Sequence, residues 1–121
     1  MSAWVWIGVA AVSGIGACAR FVLDSLIDNG AVGDFPLGTL AVNLIGSFTL
    51  GLLTGLGLTG TALLIAGTAT IGSFTTFSTW MLDSYLLAEG GRVRAAAANV
   101  SISLLLGFGA ALIGRVIGLH I

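Results

Sequence analysis

Residues 72–80 decide how this chain is built, and they read Gly72-Ser73-Phe74-Thr75-Thr76-Phe77-Ser78-Thr79-Trp80. The stretch carries five hydroxyl side chains and three aromatic ones inside a segment that is otherwise apolar enough to cross a bilayer. Polar and irregular backbone at that depth is tolerated only where it is buried in protein or lines a polar cavity. The stretch therefore marks either an ion pathway or a tight helix contact.

The composition around this stretch is that of a membrane protein. Of the 121 residues, 57% are hydrophobic and 7% are charged, whereas soluble domains carry about 25% charged residues. The four basic residues are all arginines, and the net charge of −1 gives no reason to expect nucleic acid as a partner. We therefore expect an integral protein whose partner is the lipid bilayer.

Four apolar segments are each long enough to span a bilayer, which takes about 20 residues. They cover residues 3–27, 36–58, 61–87 and 93–119. Because the connections are short, we expect antiparallel neighbours and a single four-helix transmembrane domain over residues 1–121. Pro36 suits the first turn of the second helix, and Asp34 just before it can cap that helix.

The third segment is predicted to break near its middle, because Gly72 is followed there by Ser and Thr. A break frees backbone carbonyls, which can bind a hard cation such as Na⁺. Phe77 and Trp80 are three residues apart and so share a face beyond the break. The positive edges of their rings can stabilise a small anion.

Two other helices carry polar and small residues at a spacing of four, which places each row on one helix face. Each row has two interpretations: it lines a pore, or it forms a packing face whose amides are hydrogen-bonded to a neighbour. Two G-x-x-x-G pairs, at positions 51 and 55 and at positions 114 and 118, favour close packing. The rows are Asn43, Ser47, Gly51 and Gly55 in the second helix, and Asn99, Ser103, Gly107, Ala111 and Arg115 in the fourth.

Arg20 and Asp83 are the ionisable residues nearest to bilayer depth. Such groups usually face a cavity or each other. Arg20 either lies at an aqueous vestibule, where it attracts anions, or extends its charge to the interface.

Three motifs resemble the Fluc (CrcB) family of fluoride channels. Residues 35–48, FPLGTLAVNLIGSF, resemble the family's second-helix signature, and residues 72–79, GSFTTFST, resemble its third-helix break. Residues 16–21, GACARF, resemble its first-helix motif. The resemblance extends over nearly the whole chain and its four-helix order.

This resemblance implies an antiparallel, dual-topology dimer in the cell membrane, with two pores that passively export fluoride from the cytoplasm. It also implies a structural Na⁺ at the dimer centre, held by the backbone carbonyls of Gly72 and Thr75, and it puts Arg20 near the vestibule. The residues expected along the fluoride pore are Asn43, Phe77, Ser78, Thr79, Trp80, Asn99 and Ser103.

The chain departs from the family pattern at several positions. Trp80 stands where Phe is usual, Asp83 where Glu is frequent, and Asn99 where Tyr is common. The indole of Trp80 adds an N–H group that can donate to fluoride directly, although the bulk of the ring can also narrow the pore.

Two alternatives come from other classes of protein. One is a non-conducting or partner-dependent subunit, completed by a homologous chain in a heteromeric fluoride channel. The other is a small four-helix multidrug transporter with Asp83 as its proton-exchanging carboxylate. We do not expect an enzyme, because the sequence contains no Cys–His, His–carboxylate or metal-ligand cluster.

Overall fold

We describe the fold from a computed structural model, in which residues 2–30, 33 and 35–121 are described. These residues form four helical spans that are long and apolar enough to cross a membrane. The spans are α1 (Ala3–Gly30), α2 (Leu37–Gly55), the third span (Gly60–Glu89) and α6 (Val93–His120). The predicted all-helical, four-span architecture is confirmed, with helix ends within a few residues of the predicted ones.

The start of α2 is tied to the end of α1. Leu40 N donates to the carbonyl of Pro36 at 3.2 Å, so Pro36 directly precedes the helix. The predicted cap, Asp34, lies outside the described residues. The N–H of Gly38 instead donates to the carboxylate of Asp28 at 2.8 Å. First-turn amides have no partner within their own helix, so a carboxylate from α1 stabilises this end of α2.

The third span is interrupted. It begins as α3 (Gly60–Leu63), widens into a π-helical segment (Leu64–Ile71), continues as the short α4 (Gly72–Phe74) and resumes as α5 (Ser78–Glu89). The predicted break is confirmed, and it lies at residues 75–77, just after Gly72, where Thr75 has extended backbone angles of φ −81° and ψ 162°. The π-helical segment was not predicted, and it is a second irregularity on the approach to the break.

Helices α2 and α6 pack with their backbones in contact. Four glycines make this possible, because a Cβ atom at any of them would overlap with backbone atoms of the other helix. The close packing that their spacing predicted is confirmed, and the structure shows in addition that both G-x-x-x-G pairs serve one interface. The contacts join Gly51 and Gly55 to Ala111 and Arg115, and Gly114 and Gly118 to Phe48 and Leu52.

Helix α1 packs against the first half of the third span. The hydroxyl of Ser13 donates to the carbonyl of Ala69 at 3.2 Å, and Gly16 lies against the carbonyl of Thr70. The outer face of α1 is open, with Trp4 81% and Phe21 72% exposed. Such a face suits contact with lipid, because hydrocarbon solvates apolar side chains.

We expect Gly114→Ala to destabilise the protein by about 1–3 kcal/mol, because its Cβ has no space in the packed interface. The matched control is Gly109→Ala on the same helix, where an added Cβ meets nothing within 4 Å. Thermal unfolding in detergent should show a lower midpoint for Gly114→Ala only. Equal midpoints in the two variants would mean that close α2–α6 packing does not limit stability.

Candidate functional site

A groove of about 670 Å³ lies where α2, α6 and the broken third span meet. None of the described residues that line it is charged. Its walls combine an amide, hydroxyl groups, aromatic rings, small residues and the aliphatic side chains of Leu50, Ile71 and Leu104. The polar and aromatic lining residues are Asn43, Ser47, Thr68, Thr75, Thr76, Phe77, Trp80, Ser103 and Phe108.

Asn43 holds the break together. Its side-chain N–H donates to the carbonyl of Thr76 at 2.9 Å, and its side-chain oxygen accepts the N–H of Thr76 at 2.8 Å. One amide thus replaces both hydrogen bonds that Thr76 would make in a continuous helix. Because unpaired backbone groups are costly away from water, these two bonds allow irregular backbone at this depth.

The same bonds leave carbonyl oxygens exposed just before the break. In a regular helix the N–H of Thr76 would donate to the carbonyl of Gly72, but here it donates to Asn43. No donor among the described residues reaches the carbonyls of Gly72 or Thr75. Both residues line the groove, so uncharged oxygen ligands are available there.

Close approach of α2 to the break depends on Gly46. A Cβ atom at this position would overlap with the side chain of Thr75. The glycine lies three residues after Asn43 on the same helix. It therefore sets the distance at which the amide of Asn43 can reach Thr76.

Helix α5 starts directly after the break, and Thr76 of the break caps its first turn. The hydroxyl oxygen of Thr76 accepts the N–H of Thr79 at 3.2 Å, which satisfies one free amide of the first turn. Ser78 is exposed and Thr79 is half-buried. Neither lines the groove, so these two predicted pore residues lie beside it.

Two aromatic rings form the wall beyond the break. The centroids of Phe77 and Trp80 are 5.6 Å apart and their planes meet at 82°, an edge-to-face pair. Phe77 is 70% exposed. The predicted sharing of one face is confirmed, since both rings line the groove.

The indole N–H of Trp80 does not point to a free site. It donates to the backbone carbonyl of Asn99 on α6 at 3.2 Å. The expectation that this N–H serves fluoride directly is therefore wrong for this conformation, because an indole has only one donor.

Asn99 and Ser103 have different surroundings, although they lie on one face of α6. Asn99 is 1% exposed, and its side-chain N–H donates to the hydroxyl oxygen of Ser84 at 2.9 Å. It sits behind the wall of the groove, as the packing interpretation of its row predicted. Ser103 lies on the wall, and its place in a fluoride pore stays a prediction.

Charged side chains gather away from the groove. The carboxylate of Asp83 accepts the hydroxyl of Thr39 at 3.0 Å, and Arg20 attracts Asp24, one turn further along α1. One oxygen of Asp24 is buried without a hydrogen-bond partner among the described residues. Because Arg20 and Asp83 do not line the groove, the geometry gives no support to Asp83 as a transport carboxylate.

Sequence reasoning missed several lining residues, among them Thr68 and Phe108. Phe108 lies one turn beyond Leu104 on the face that carries Ser103 and Gly107, so extending that row would have found it. Thr68 lies in the π-helical segment. It lies four residues before Gly72 and seven before Thr75, so ordinary helical spacing already groups it with these two lining residues and would have found it.

The model of the family described as "CrcB-like protein, Camphor Resistance (CrcB)" matches residues 7–115. The chain belongs to the CrcB family.

Curated relatives within the CrcB family agree over nearly the full length. "Fluoride-specific ion channel FluC 2" of Mycolicibacterium paratuberculosis is 51% identical over 111 residues, which cover 92% of this chain and 91% of the relative. "Fluoride-specific ion channel FluC 1" of Symbiobacterium thermophilum is 44% identical over 121 residues, or 95% of this chain and 96% of the relative. The motifs that suggested the family are thus part of a similarity along the whole chain.

We expect Asn43→Leu to loosen the CrcB-type break, because it leaves the N–H and carbonyl of Thr76 unpaired at about 1–3 kcal/mol each. Amide hydrogen exchange at residues 74–78 should accelerate and the thermal midpoint should fall. The control is Thr49→Val on the same helix, whose hydroxyl bonds only to the carbonyl of Ile45. Unchanged exchange at the break in Asn43→Leu would contradict the role given to this amide.

Proposed function

We propose that the protein is a fluoride-selective ion channel of the cell membrane, through which fluoride leaves the cytoplasm passively. The proposal is supported by relatives that are named fluoride-specific ion channels. The structural observation that carries it is the uncharged groove, in which an amide, hydroxyl groups and aromatic rings meet at a broken helix.

An uncharged lining suits a small and strongly hydrated anion. The pore must replace the water around fluoride with donors, but binding must stay weak enough for the ion to leave. Ser47 and Thr68 line the groove, and their hydroxyls have no hydrogen-bond partner among the described residues. Asn43 has a second side-chain N–H besides the one that holds Thr76. With the edges of Phe77 and Trp80, these groups can solvate fluoride without a full positive charge.

The pores belong to a dimer in this proposal. A single chain leaves its groove open, since Phe77 and Phe108 on its lining are each 70% exposed. A second copy laid over this side would enclose the ion and cover the rings. We infer an antiparallel arrangement, because the arginine and lysine bias sets orientation and this chain has only four arginines, divided three against one between the two membrane sides, which is a weak bias.

A structural Na⁺ fits the chemistry of the break. The residues that would hold it are Gly72 and Thr75, through carbonyl oxygens that lack donors among the described residues. Hard cations prefer oxygen ligands, and broken membrane helices supply such carbonyls. Bound there, the ion would supply a fixed positive charge that draws together the breaks of the two subunits.

A partner-dependent subunit remains the second candidate. Symbiobacterium thermophilum has two relatives, named "Fluoride-specific ion channel FluC 1" and "Fluoride-specific ion channel FluC 2", which are 44% and 43% identical to this chain. Two such chains in one organism favour a heteromeric pair as an alternative to the homodimer.

The test of function is ion efflux from liposomes that contain the purified chain alone. Fluoride should leave quickly, while chloride and a cationic dye should be retained. Fluoride efflux without a partner supports the homodimer, and efflux only after a homologous subunit is added supports the heteromer. Dye efflux that depends on a proton gradient would overturn both.

Phe77→Ile should reduce fluoride flux by about threefold to tenfold, the factor that corresponds to one aromatic-edge interaction. The side chain stays apolar, so assembly should be retained on size exclusion. The control is Phe21→Ile, because Phe21 is 72% exposed on α1 and does not line the groove. Equal flux in parent and Phe77→Ile dimers would remove this ring from the pathway.

Dual topology can be tested by labelling one cysteine from outside the cell. Glu89→Cys is placed in a Cys18→Ala background, because Glu89 is exposed at the end of α5. An impermeant maleimide should label about half of the molecules in intact spheroplasts and the rest after permeabilisation, as equal insertion in both orientations requires. All-or-none labelling from outside would show a single orientation.

A further inference from the structure

Asn99 joins two walls of the groove from behind. Its backbone carbonyl accepts the indole N–H of Trp80 at 3.2 Å, and its side-chain oxygen accepts the hydroxyl of Ser103 at 3.5 Å. Trp80 and Ser103 both line the groove, whereas Asn99 is 1% exposed. One buried residue therefore contacts both an aromatic and a hydroxyl lining group.

Ser84 connects Asn99 to the backbone of Trp80 through two hydrogen bonds. The side-chain N–H of Asn99 donates to the hydroxyl oxygen of Ser84 at 2.9 Å, and Ser84 donates to the backbone carbonyl of Trp80 at 2.9 Å. The ring of Trp80 is thus held by the backbone carbonyl of Asn99, and the side-chain bond between Asn99 and Ser84 joins α6 to α5 so that this carbonyl stays within reach of the indole. Burying an amide costs free energy unless the amide is hydrogen-bonded. The bond to Ser84 pairs the buried side-chain amide of Asn99 and at the same time helps to fix the ring of Trp80.

The bond from Ser103 has a different consequence. A hydroxyl has one hydrogen to donate, so Ser103 can give it to Asn99 or to an anion in the groove, but not to both. The distance of 3.5 Å is long for an O–H···O bond, so the bond is weak. The bond to Asn99 therefore restrains the hydroxyl of Ser103 but leaves it able to donate to an anion in the groove.

We propose that Asn99 is a positioning residue that, together with Ser84, fixes the ring of Trp80, restrains the hydroxyl of Ser103, and thereby sets the anion selectivity of the groove. The effect on selectivity rests on the proposed channel function. The fixing of the Trp80 ring does not, so the two parts can fail separately.

Fluorescence tests the fixing of the ring without any ion flux. Trp4→Phe and Trp6→Phe remove the two tryptophans that are exposed at the start of α1, at 81% and 57%, so that Trp80 alone emits. In this background Ser84→Ala and Asn99→Leu should each lower the residual anisotropy of Trp80, because both remove the Asn99–Ser84 bond that holds the backbone carbonyl of residue 99 against the indole.

The matched control is Ser101→Ala, since Ser101 is exposed on α6 and its hydroxyl has no hydrogen bond with the described residues. It should keep the anisotropy of the parent. If Asn99→Leu fails to assemble, Ser84→Ala carries the test, because it removes a single oxygen. Anisotropy in Ser84→Ala equal to that of the parent would overturn the fixing of the ring.

Efflux tests the effect on selectivity. The fluoride-to-chloride ratio should fall by about threefold to tenfold in Ser84→Ala, the factor given by the loss of one net hydrogen bond, while maximal fluoride flux is retained. Lower anisotropy with an unchanged ratio would overturn the selectivity role. If the parent conducts no fluoride, the channel function fails, and the anisotropy result still decides whether the ring is fixed.

Comparison of the two variants tests the restraint on Ser103. Asn99→Leu frees the hydroxyl of Ser103, whereas Ser84→Ala leaves its acceptor in place. Half-saturating fluoride should therefore be lower in Asn99→Leu than in Ser84→Ala, and Ser103→Ala should remove this difference. Equal half-saturation in the two variants would overturn the restraint.

Discussion

The two hydrogen bonds from Asn43 to the backbone of Thr76 are the interaction on which the rest of the structure depends. In lipid, no water is available to hydrogen-bond an unpaired N–H or carbonyl group. A broken helix is therefore stable only where other groups pair with its free backbone atoms. Asn43 supplies one donor and one acceptor to the same residue. The carbonyls of α4, the ring of Phe77 and the start of α5 take their positions from the break that these bonds maintain.

Glycine brings the helices close enough for those bonds to form. The backbones of α2 and α6 touch at four glycines, and Gly46 brings α2 against the side chain of Thr75. Helices in a bilayer gain little from burying apolar side chains against each other, so close backbone contact carries much of their association. The small residues of α2 therefore serve packing and the placement of Asn43 at once.

The groove is uncharged and mostly apolar, with a few polar groups among its lining residues, and this balance fits the transport of a small anion. Carboxylates and Arg20 lie elsewhere in the fold, with Asp83 bonded to Thr39. Trp80 and Asn99, which depart from the family pattern, do not add a free donor to the groove. The indole N–H of Trp80 donates instead to the backbone carbonyl of Asn99 on the neighbouring helix. What faces the groove from Trp80 is a ring, as a phenylalanine at this position would also provide.

The sequence by itself determined the four spans, the break after Gly72 and the use of both G-x-x-x-G pairs, because hydropathy, glycine and residue spacing act within single segments. Only the tertiary structure decided that Asn99 lies behind the wall while Ser103 lies on it, and that the Trp80 N–H is occupied. The physical reason is that spacing assigns a residue to a face of its own helix, whereas a hydrogen-bond partner depends on the distance and rotation between helices.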